Sequence, residues 1–154
     1  MVGGRDQSIS NNDNEIKEYL SQIANKIKYK FKARKDRTCY NLSINNKQGK
    51  NNVIRDALKY YNLINNKHIP KEFLINSKEK RLYLLAGLID SDGYHAKSGI
   101  CQIVSINKKL ADGITFLCRS LGFQTSLTLI KKRATNSKNN ENHLYYQISY
   151  LIIH

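Results

Sequence analysis

Two carboxylates, Asp90 and Asp92, stand at the end of an apolar run in which small residues interrupt the leucines. The run extends from Leu84 to Tyr94 and contains the pair Ala86-Gly87. Gly in a helix costs roughly 1 kcal/mol relative to Ala, so this pair indicates that another backbone approaches closely. The Asp-Gly step that follows predicts a helix stop, which leaves Asp92 at the helix end.

Two other interpretations of these carboxylates were compared with the sequence. A calcium-binding loop that starts at Asp90 needs Gly at its sixth position and Glu at its twelfth. Those positions hold His95 and Cys101, so the calcium loop is excluded. An ordinary buried helix that ends in an Asp-Gly turn is the second interpretation, and the motif by itself leaves it open.

The charge of the chain favours a nucleic-acid partner. Lys and Arg outnumber Asp and Glu by 26 to 12, which gives a formal net charge of +14 and a pI near 9.7. Such a surplus of cations is typical of proteins that bind phosphates. The apolar runs are too short to span a membrane, and no signal peptide is visible, so we expect no membrane partner and an intracellular location. Three scattered cysteines predict reduced thiols rather than disulfides or zinc ligands.

The run Leu85-Ala86-Gly87-Leu88-Ile89-Asp90-Ser91-Asp92-Gly93 resembles the LAGLIDADG motif of homing endonucleases, with Ser91 in place of the usual Ala. In that family two motif helices pack side by side, and each delivers one acidic residue to a shared divalent-metal site. The resemblance implies that Asp92 is a metal-binding catalytic residue with Mg²⁺ as the cofactor. It also implies that Ala86 and Gly87 form the interface between helices.

A second likeness lies before the motif, in the segment Lys67-His68-Ile69-Pro70. It resembles the intein-associated branch of the family, where a Lys two residues before Ile-Pro approaches the active site. This resemblance implies that Lys67 is catalytic, because a nearby ammonium can stabilise charge on the scissile phosphate. Without the Ile-Pro context, an ordinary solvated Lys is the alternative.

The chain also contains an internal repeat. A shift of 94 positions aligns the amphipathic stripe of Ile16, Leu20 and Ile23 with that of Leu110, Ile114 and Leu117. The order of elements predicts an α+β protein with the LAGLIDADG homing endonuclease fold, in which two pseudo-symmetric α/β halves carry antiparallel β-saddles. We expect halves at 1–66 and 67–154, with the motif helix at 77–93. The first motif helix and the last helix of the family are expected to be missing.

Alternating residues in the predicted strands indicate where DNA would bind. From Lys28 to Arg34 cations alternate with Tyr29, Phe31 and Ala33, which predicts one buried face and one basic face. In the second half Leu127 and Leu129 are expected to point inward. A solvated sheet face is the alternative. The residues predicted to contact DNA are Lys28, Lys30, Lys32, Arg34, Asn41, Ser43, Ser126, Thr128, Lys132 and Gln147.

Two functions from different classes follow from these features. The first is an intein-type homing endonuclease that hydrolyses both strands of a long asymmetric double-stranded DNA site with Mg²⁺. The intact parent is then expected to be a pseudo-twofold monomer embedded in an intein host protein. The alternative is a cleavage-inactive DNA- or RNA-binding module, maturase-like or regulatory, on the same fold.

Overall fold

The computed structural model describes residues 7–10, 13–33, 39–44, 53–133 and 142–151, with the backbone alone at 7–10, 31–33, 39–44, 133 and 142. The chain divides into two compact units, Met1–Asn66 and Lys67–His154. Each unit contains a sheet of its own. Within the described ranges no helix is both long and apolar enough to cross a membrane.

The first unit combines a three-stranded antiparallel sheet with two helices. Its elements are β1 (Gln7–Ser10), α1 (Asn14–Lys26), β2 (Tyr29–Ala33), β3 (Cys39–Ile44) and α2 (Val53–Tyr60). The strand order is β1-β3-β2. Helix α1 starts after Asp13, whose carboxylate accepts a hydrogen bond from the backbone N–H of Glu15 at 2.9 Å. The hydroxyl of the buried Tyr29 accepts one from the backbone N–H of Val53 at 2.7 Å, so β2 holds the start of α2.

The second unit contains the motif helix and a four-stranded antiparallel sheet. Its elements are α3 (Lys71–Leu74), α4 (Lys78–Asp92), β4 (Gly93–His95), β5 (Ile100–Ser105), α5 (Lys108–Ser120), β6 (Gln124–Arg133) and β7 (Asn142–Leu151). The strand order is β4-β5-β7-β6. The Ser77 hydroxyl caps α4 by accepting from the backbone N–H of Lys80. The motif helix therefore agrees with the predicted range to within one residue at each end.

The predicted repeat is present in the order of the elements. Helices α1 and α5 begin at Asn14 and Lys108 and end at Lys26 and Ser120, so both ends are 94 positions apart. The strand orders β1-β3-β2 and β5-β7-β6 are also equivalent. The two units therefore share one β-α-β-β topology, to which the second adds α3, α4 and β4.

The two repeated helices are buried to different extents. Leu117 on α5 is fully buried, whereas the equivalent Ile23 on α1 is 36% exposed. Helix α5 packs on its sheet with one side and on α3 and α4 with another, and Ile69 lies against Gly113 at the crossing. The main core of the second unit therefore surrounds α5, with the sheet on one side of this helix and α3 and α4 on another.

Two cysteines belong to this core. Cys101 and Cys118 are free and buried, whereas the side chain of Cys39 lies outside the described residues. Burial raises the pKa of the Cys118 thiol to about 12, because the low-dielectric core disfavours the thiolate. The Cys118 thiol is therefore structural rather than nucleophilic.

Arg81 ties the start of the motif helix to the end of α5. Its Nε donates to the carbonyl oxygen of Asn76 at 3.0 Å, and its Nη1 donates to the carbonyl oxygen of Ser120 at 3.0 Å. Ser120 is the last residue of α5, where the helix dipole places partial negative charge. The guanidinium, carried by the first turn of α4, therefore bonds both to the segment before that helix and to the C-terminal carbonyl of α5.

We predict that Arg81→Ala lowers the free energy of unfolding by about 1 kcal/mol, because two carbonyl groups lose a charged donor. Lys80→Ala, which removes an exposed cation from the same turn, is the matched control and should change stability little. Urea unfolding followed by circular dichroism measures both. Equal losses in the two variants would contradict a specific role for the Arg81 contacts.

Candidate functional site

The two residues predicted to be catalytic, Lys67 and Asp92, line the same cavity in the second unit although they are 25 residues apart in sequence. The cavity has a volume of about 330 Å³. Its lining is Lys67, Leu88, Asp92, Ile103, Val104, Ser105, Ile106, Asn107, Leu110 and Ile114. Both charged side chains are exposed, and neither forms an ion pair with another described residue. Their charges are therefore available to a ligand.

Asp92 is held by the abrupt change from α4 to β4. It is the last helical residue, and the backbone N–H of Gly93 donates to the carbonyl oxygen of Ile89. A Cβ at Gly93 would lie 2.6 Å from the Cα and the carbonyl oxygen of Ile89, so only Gly fits this turn. The strand follows with no linker, so Asp92 lies directly at the junction of α4 and β4.

The electrostatic environment of Asp92 favours a cation. The C-terminal end of a helix carries partial negative charge, so a carboxylate there is unfavourable by several tenths of a kcal/mol or more. Asp90 adds a second negative charge two residues earlier. A cationic ligand near Asp92 would relieve both effects, and this arrangement is typical of a functional rather than a stabilising carboxylate.

Lys67 is positioned by the apolar residue that follows it in the predicted motif. Ile69 is buried in the core, and a Cβ at Gly113 would lie 3.4 Å from the Cβ of Ile69. Pro70 then precedes α3, so the backbone direction is restricted directly after Ile69. The Ile-Pro step thus anchors the segment while the Lys67 side chain extends into the cavity.

Two polar residues of the cavity, Ser105 and Asn107, were not identified from the sequence. The Ser105 hydroxyl accepts from the backbone N–H of Asn107 at 3.0 Å, and the Asn107 side chain accepts from the backbone N–H of Leu110 at 3.0 Å. Together they form the N-cap of α5. The Ser-Ile-Asn step before an amphipathic stripe is a recognisable cap signal, but it does not indicate that the cap lies beside Asp92.

The donor set was compared with the needs of a divalent metal. Asp92 is the one carboxylate among the residues that line the cavity. Among the described residues no group of three or more His, Cys, Asp or Glu could hold a metal ion. Mg²⁺ is commonly held by one or two carboxylates together with substrate phosphates and waters. Asp92 therefore fits as one anchor of a metal shared with a substrate.

The predicted helix interface at Ala86 and Gly87 is exposed. A Cβ placed on Gly87 would meet no atom within 4 Å. The structure thus leaves open the face of α4 on which the resemblance puts a second helix, and this interface stays a prediction.

The sheet of the second unit places the predicted DNA-facing residues together. Four of them share one face: Ser126, Thr128, Lys132 and Gln147. Thr128 pairs directly with Gln147, and Lys132 lies four residues further along β6. The buried Ile148 and Tyr150 lie on the opposite face, against α5. The face prediction for these four residues agrees with the register, while their contact with DNA stays a prediction.

The inward direction predicted for two leucines of β6 agrees with the register, but neither leucine is buried. Leu127 and Leu129 lie on the helix side of the sheet, but they are 36% and 53% exposed. Strand β6 is at the edge of the sheet, and a groove of about 550 Å³ separates Leu127 from Phe116 on α5. One helix does not cover the full width of a four-stranded sheet, so the leucines at its edge remain accessible.

The basic strand of the first unit is shorter than predicted. Lys28 has a φ of 60°, in the left-handed region, and lies before β2, so the strand alternation does not include it. Lys30 is exposed and pairs with Ser43, and Lys32 pairs with Asn41. The register therefore pairs two lysines that were predicted to contact DNA with two polar residues that were predicted to do so as well. The side chains of Lys32, Asn41 and Ser43, and all of Arg34, lie outside the described residues.

The sequence interpretation also missed part of the sheet face. Gln102 on β5 pairs with Ser149 on one side and with Tyr94 on the other, so all three positions share the face of Gln147. Strict alternation fails in β5, because Ile100 and Val104, which share the face of Gln102, are both apolar. The polar face of this strand is therefore clear only from the register.

The fold and the site together define the class of the protein. A family model described as homing endonuclease matches residues 68–151, which is more than half of the chain. The chain belongs to the homing endonuclease family.

Individual relatives give a consistent picture. A structure of variants of the homing endonuclease I-DmoI covers 94% of this chain and 71% of its own, with 16% identity and a TM-score of 0.57. Another, of I-DmoI in complex with DNA and Mn, has a TM-score of 0.56 and covers 72% of that chain. I-DmoI has also been solved with its target DNA and 2 mM Mg. These likenesses confirm the predicted α+β LAGLIDADG homing endonuclease fold.

One sequence relative is a longer protein of which only a short region matches. The replicative DNA helicase DnaB of Mycobacterium intracellulare is 37% identical over 87 residues, which is 55% of this chain. The matched region spans 15% of that helicase.

We predict that Gly87→Ala raises the free energy of unfolding by about 0.5–1 kcal/mol, because Ala favours the helix and the added methyl meets no atom. Gly113→Ala is the matched control, since its methyl meets Ile69 and the helix gain is offset there. Urea unfolding compares the two. A loss of stability in Gly87→Ala would instead show that a backbone packs on this face of α4.

Proposed function

We propose that this protein is an intein-type homing endonuclease that hydrolyses phosphodiester bonds in both strands of a long, asymmetric DNA site with Mg²⁺. The observation that carries the proposal is the shared cavity of Lys67 and Asp92 at the end of the motif helix. One residue supplies a metal-binding carboxylate and the other a cation for the phosphate. Membership of the homing endonuclease family supports the reaction type.

The residues of the chain have separable roles in this reaction. The polar sheet face holds the duplex through its phosphates and base edges, and the net charge of +14 strengthens that attraction. Lys67 stabilises the negative charge that builds up on the scissile phosphate. Asp92 would hold the metal from the last residue of the motif helix α4. When bound, Mg²⁺ activates water and neutralises the leaving oxygen.

Cleavage of both strands needs a second acidic ligand set close to the first. Its proposed source is a second motif helix that packs on Ala86 and Gly87, where the surface of α4 is open. A hard divalent ion is held weakly by one Asp and waters, so Asp92 alone should support little cutting.

The intein assignment rests on two observations. The Lys67 to Pro70 segment has the spacing of the intein-associated branch, and Lys67 does lie in the Asp92 cavity. The match to a short part of a replicative helicase is consistent with a domain that is carried inside a longer host chain. We propose such a host for this protein as well.

Catalysis is tested with Asp92→Asn and Lys67→Ala on duplexes that the wild-type chain enriches from a randomised pool. In a protein that cuts, we expect Asp92→Asn to abolish double-strand cleavage and to leave the Kd for DNA within about threefold, because it removes a ligand charge without changing shape. Lys67→Ala should slow cleavage about 100-fold or more with similar binding.

Two outcomes would decide against parts of this assignment. Mg²⁺-dependent cutting by Asp92→Asn would show that the metal lies elsewhere. The second outcome is a wild-type chain that binds DNA but does not cut it, even after a second motif helix has been added. That result would favour the cleavage-inactive binding module.

The sheet face is tested by salt dependence. Lys131 and Lys132 are neighbours on β6 with side chains on opposite faces, so they form a matched pair. Lys132→Ala should reduce the slope of log affinity against log salt by about 0.9, the value for one phosphate contact, whereas Lys131→Ala should leave it unchanged. Fluorescence anisotropy between 50 and 300 mM salt, roughly the range in which such slopes are linear, measures both. A larger effect of Lys131→Ala would reverse the assigned face.

A further inference from the structure

Tyr94 is the first side chain of the polar sheet face after the metal-binding carboxylate. It lies on β4 two residues beyond Asp92 and is 63% exposed. The junction of α4 and β4 has no linker, because Gly93 is both the C-cap of α4 and the first residue of β4. The backbone of Tyr94 therefore lies close to that of Asp92.

The register extends this position into a row across the sheet. One residue from each of the four strands belongs to it, in the order Tyr94, Gln102, Ser149 and Ser126. Neighbouring strands are about 4.8 Å apart, so the row extends about 14 Å away from Tyr94. Three members are small or flexible polar residues, and Tyr94 is the aromatic one at the end beside α4.

A tyrosine at this place can do what the other three residues cannot. Its ring offers a flat apolar surface for a base or a deoxyribose, and its hydroxyl can bond to a phosphate or a base edge. Gln102, Ser149 and Ser126 offer hydrogen bonds to base edges or phosphates but no flat apolar surface. The ring is also the member of the row that is closest to Asp92 along the chain.

We propose that Tyr94 contacts the base pairs next to the scissile bond and is a specificity-determining and positioning residue of the nuclease. The contact between the ring and the bases sets the register of the duplex, so that the phosphate meets Lys67 and Asp92. Gln102 reads the adjacent pair from the same row. This inference rests on the proposed DNA function, and it assigns to one side chain the sequence preference at the centre of the site.

The experiment uses the full chain and a pool of randomised duplex DNA. Wild type, Tyr94→Ala, Tyr94→Phe and a control, Tyr60→Ala, are each taken through rounds of selection and sequencing. Tyr60 is an exposed tyrosine of the first unit, at the end of α2. The affinity of each variant for the wild-type winner is then measured by anisotropy.

Tyr94→Ala should lose preference at one to three consecutive base pairs and bind the winner about 5- to 20-fold more weakly, as expected for loss of one aromatic contact to a base. Tyr94→Phe should keep the preference, because it keeps the ring. Tyr60→Ala should match wild type. Where the wild type cuts, the affected pairs should lie within about three of the cleaved bond, given that two residues span under 7 Å.

A selection profile that is unchanged in Tyr94→Ala, while the wild type enriches a defined sequence, would overturn the role of Tyr94 and leave the proposed function standing. Affected pairs at the far end of the site would also overturn it. Failure of the wild type to enrich any sequence would overturn both.

Discussion

Burial of α5 is the interaction on which the rest of the second unit depends. Its apolar stripe, centred on Ile114 and Leu117, is sealed by β5 and β7 on one side and by α3 and α4 on another. Because α4 can pack only where that stripe is free, the motif helix has a defined place against the sheet. Its C-terminal end then meets the cap of α5, and the cavity that contains Lys67 and Asp92 forms at this junction.

The carboxylates of the site lie in a locally unfavourable environment, whereas the net charge of the whole chain favours the binding of a polyanion. Asp90 and Asp92 are at the negative end of a helix, where neither contributes to stability. The surrounding chain carries a net charge of +14, which attracts a polyanion to the carboxylates and offsets their repulsion of phosphate. A metal bound at Asp92 would have the same effect locally.

The two repeated units share one topology, but their helices are covered by other elements to different extents. Helices α1 and α5 have equivalent bounds and equivalent positions in the strand order. Ile23 on α1 and its C-cap residue Ile27 are nevertheless exposed, while the corresponding stripe of α5 is covered. The difference arises from α3 and α4, which have no described counterpart beside α1. The same difference is present at Gly113, which has no side chain and lets Ile69 pack against α5. The equivalent position of α1 holds the exposed Tyr19.

Much of this protein was predictable from the sequence, because the relevant signals are local. The hydrophobic period located α5 and its repeat, the Asp-Gly step ended α4 next to Asp92, and the motif with its Lys67 companion indicated the family. Other features depend on contacts between residues that are distant in sequence. They also depend on which helices and strands cover a given residue. The exposure of Leu127 and Leu129 follows from the edge position of β6, and the loss of Lys28 from the basic strand follows from a left-handed turn. The shared cavity of Lys67 and Asp92 and the row from Tyr94 to Ser126 required the packing of α4 and the register of four strands. Periodicity specifies which side of an element is apolar, but only tertiary contacts decide what lies against that side.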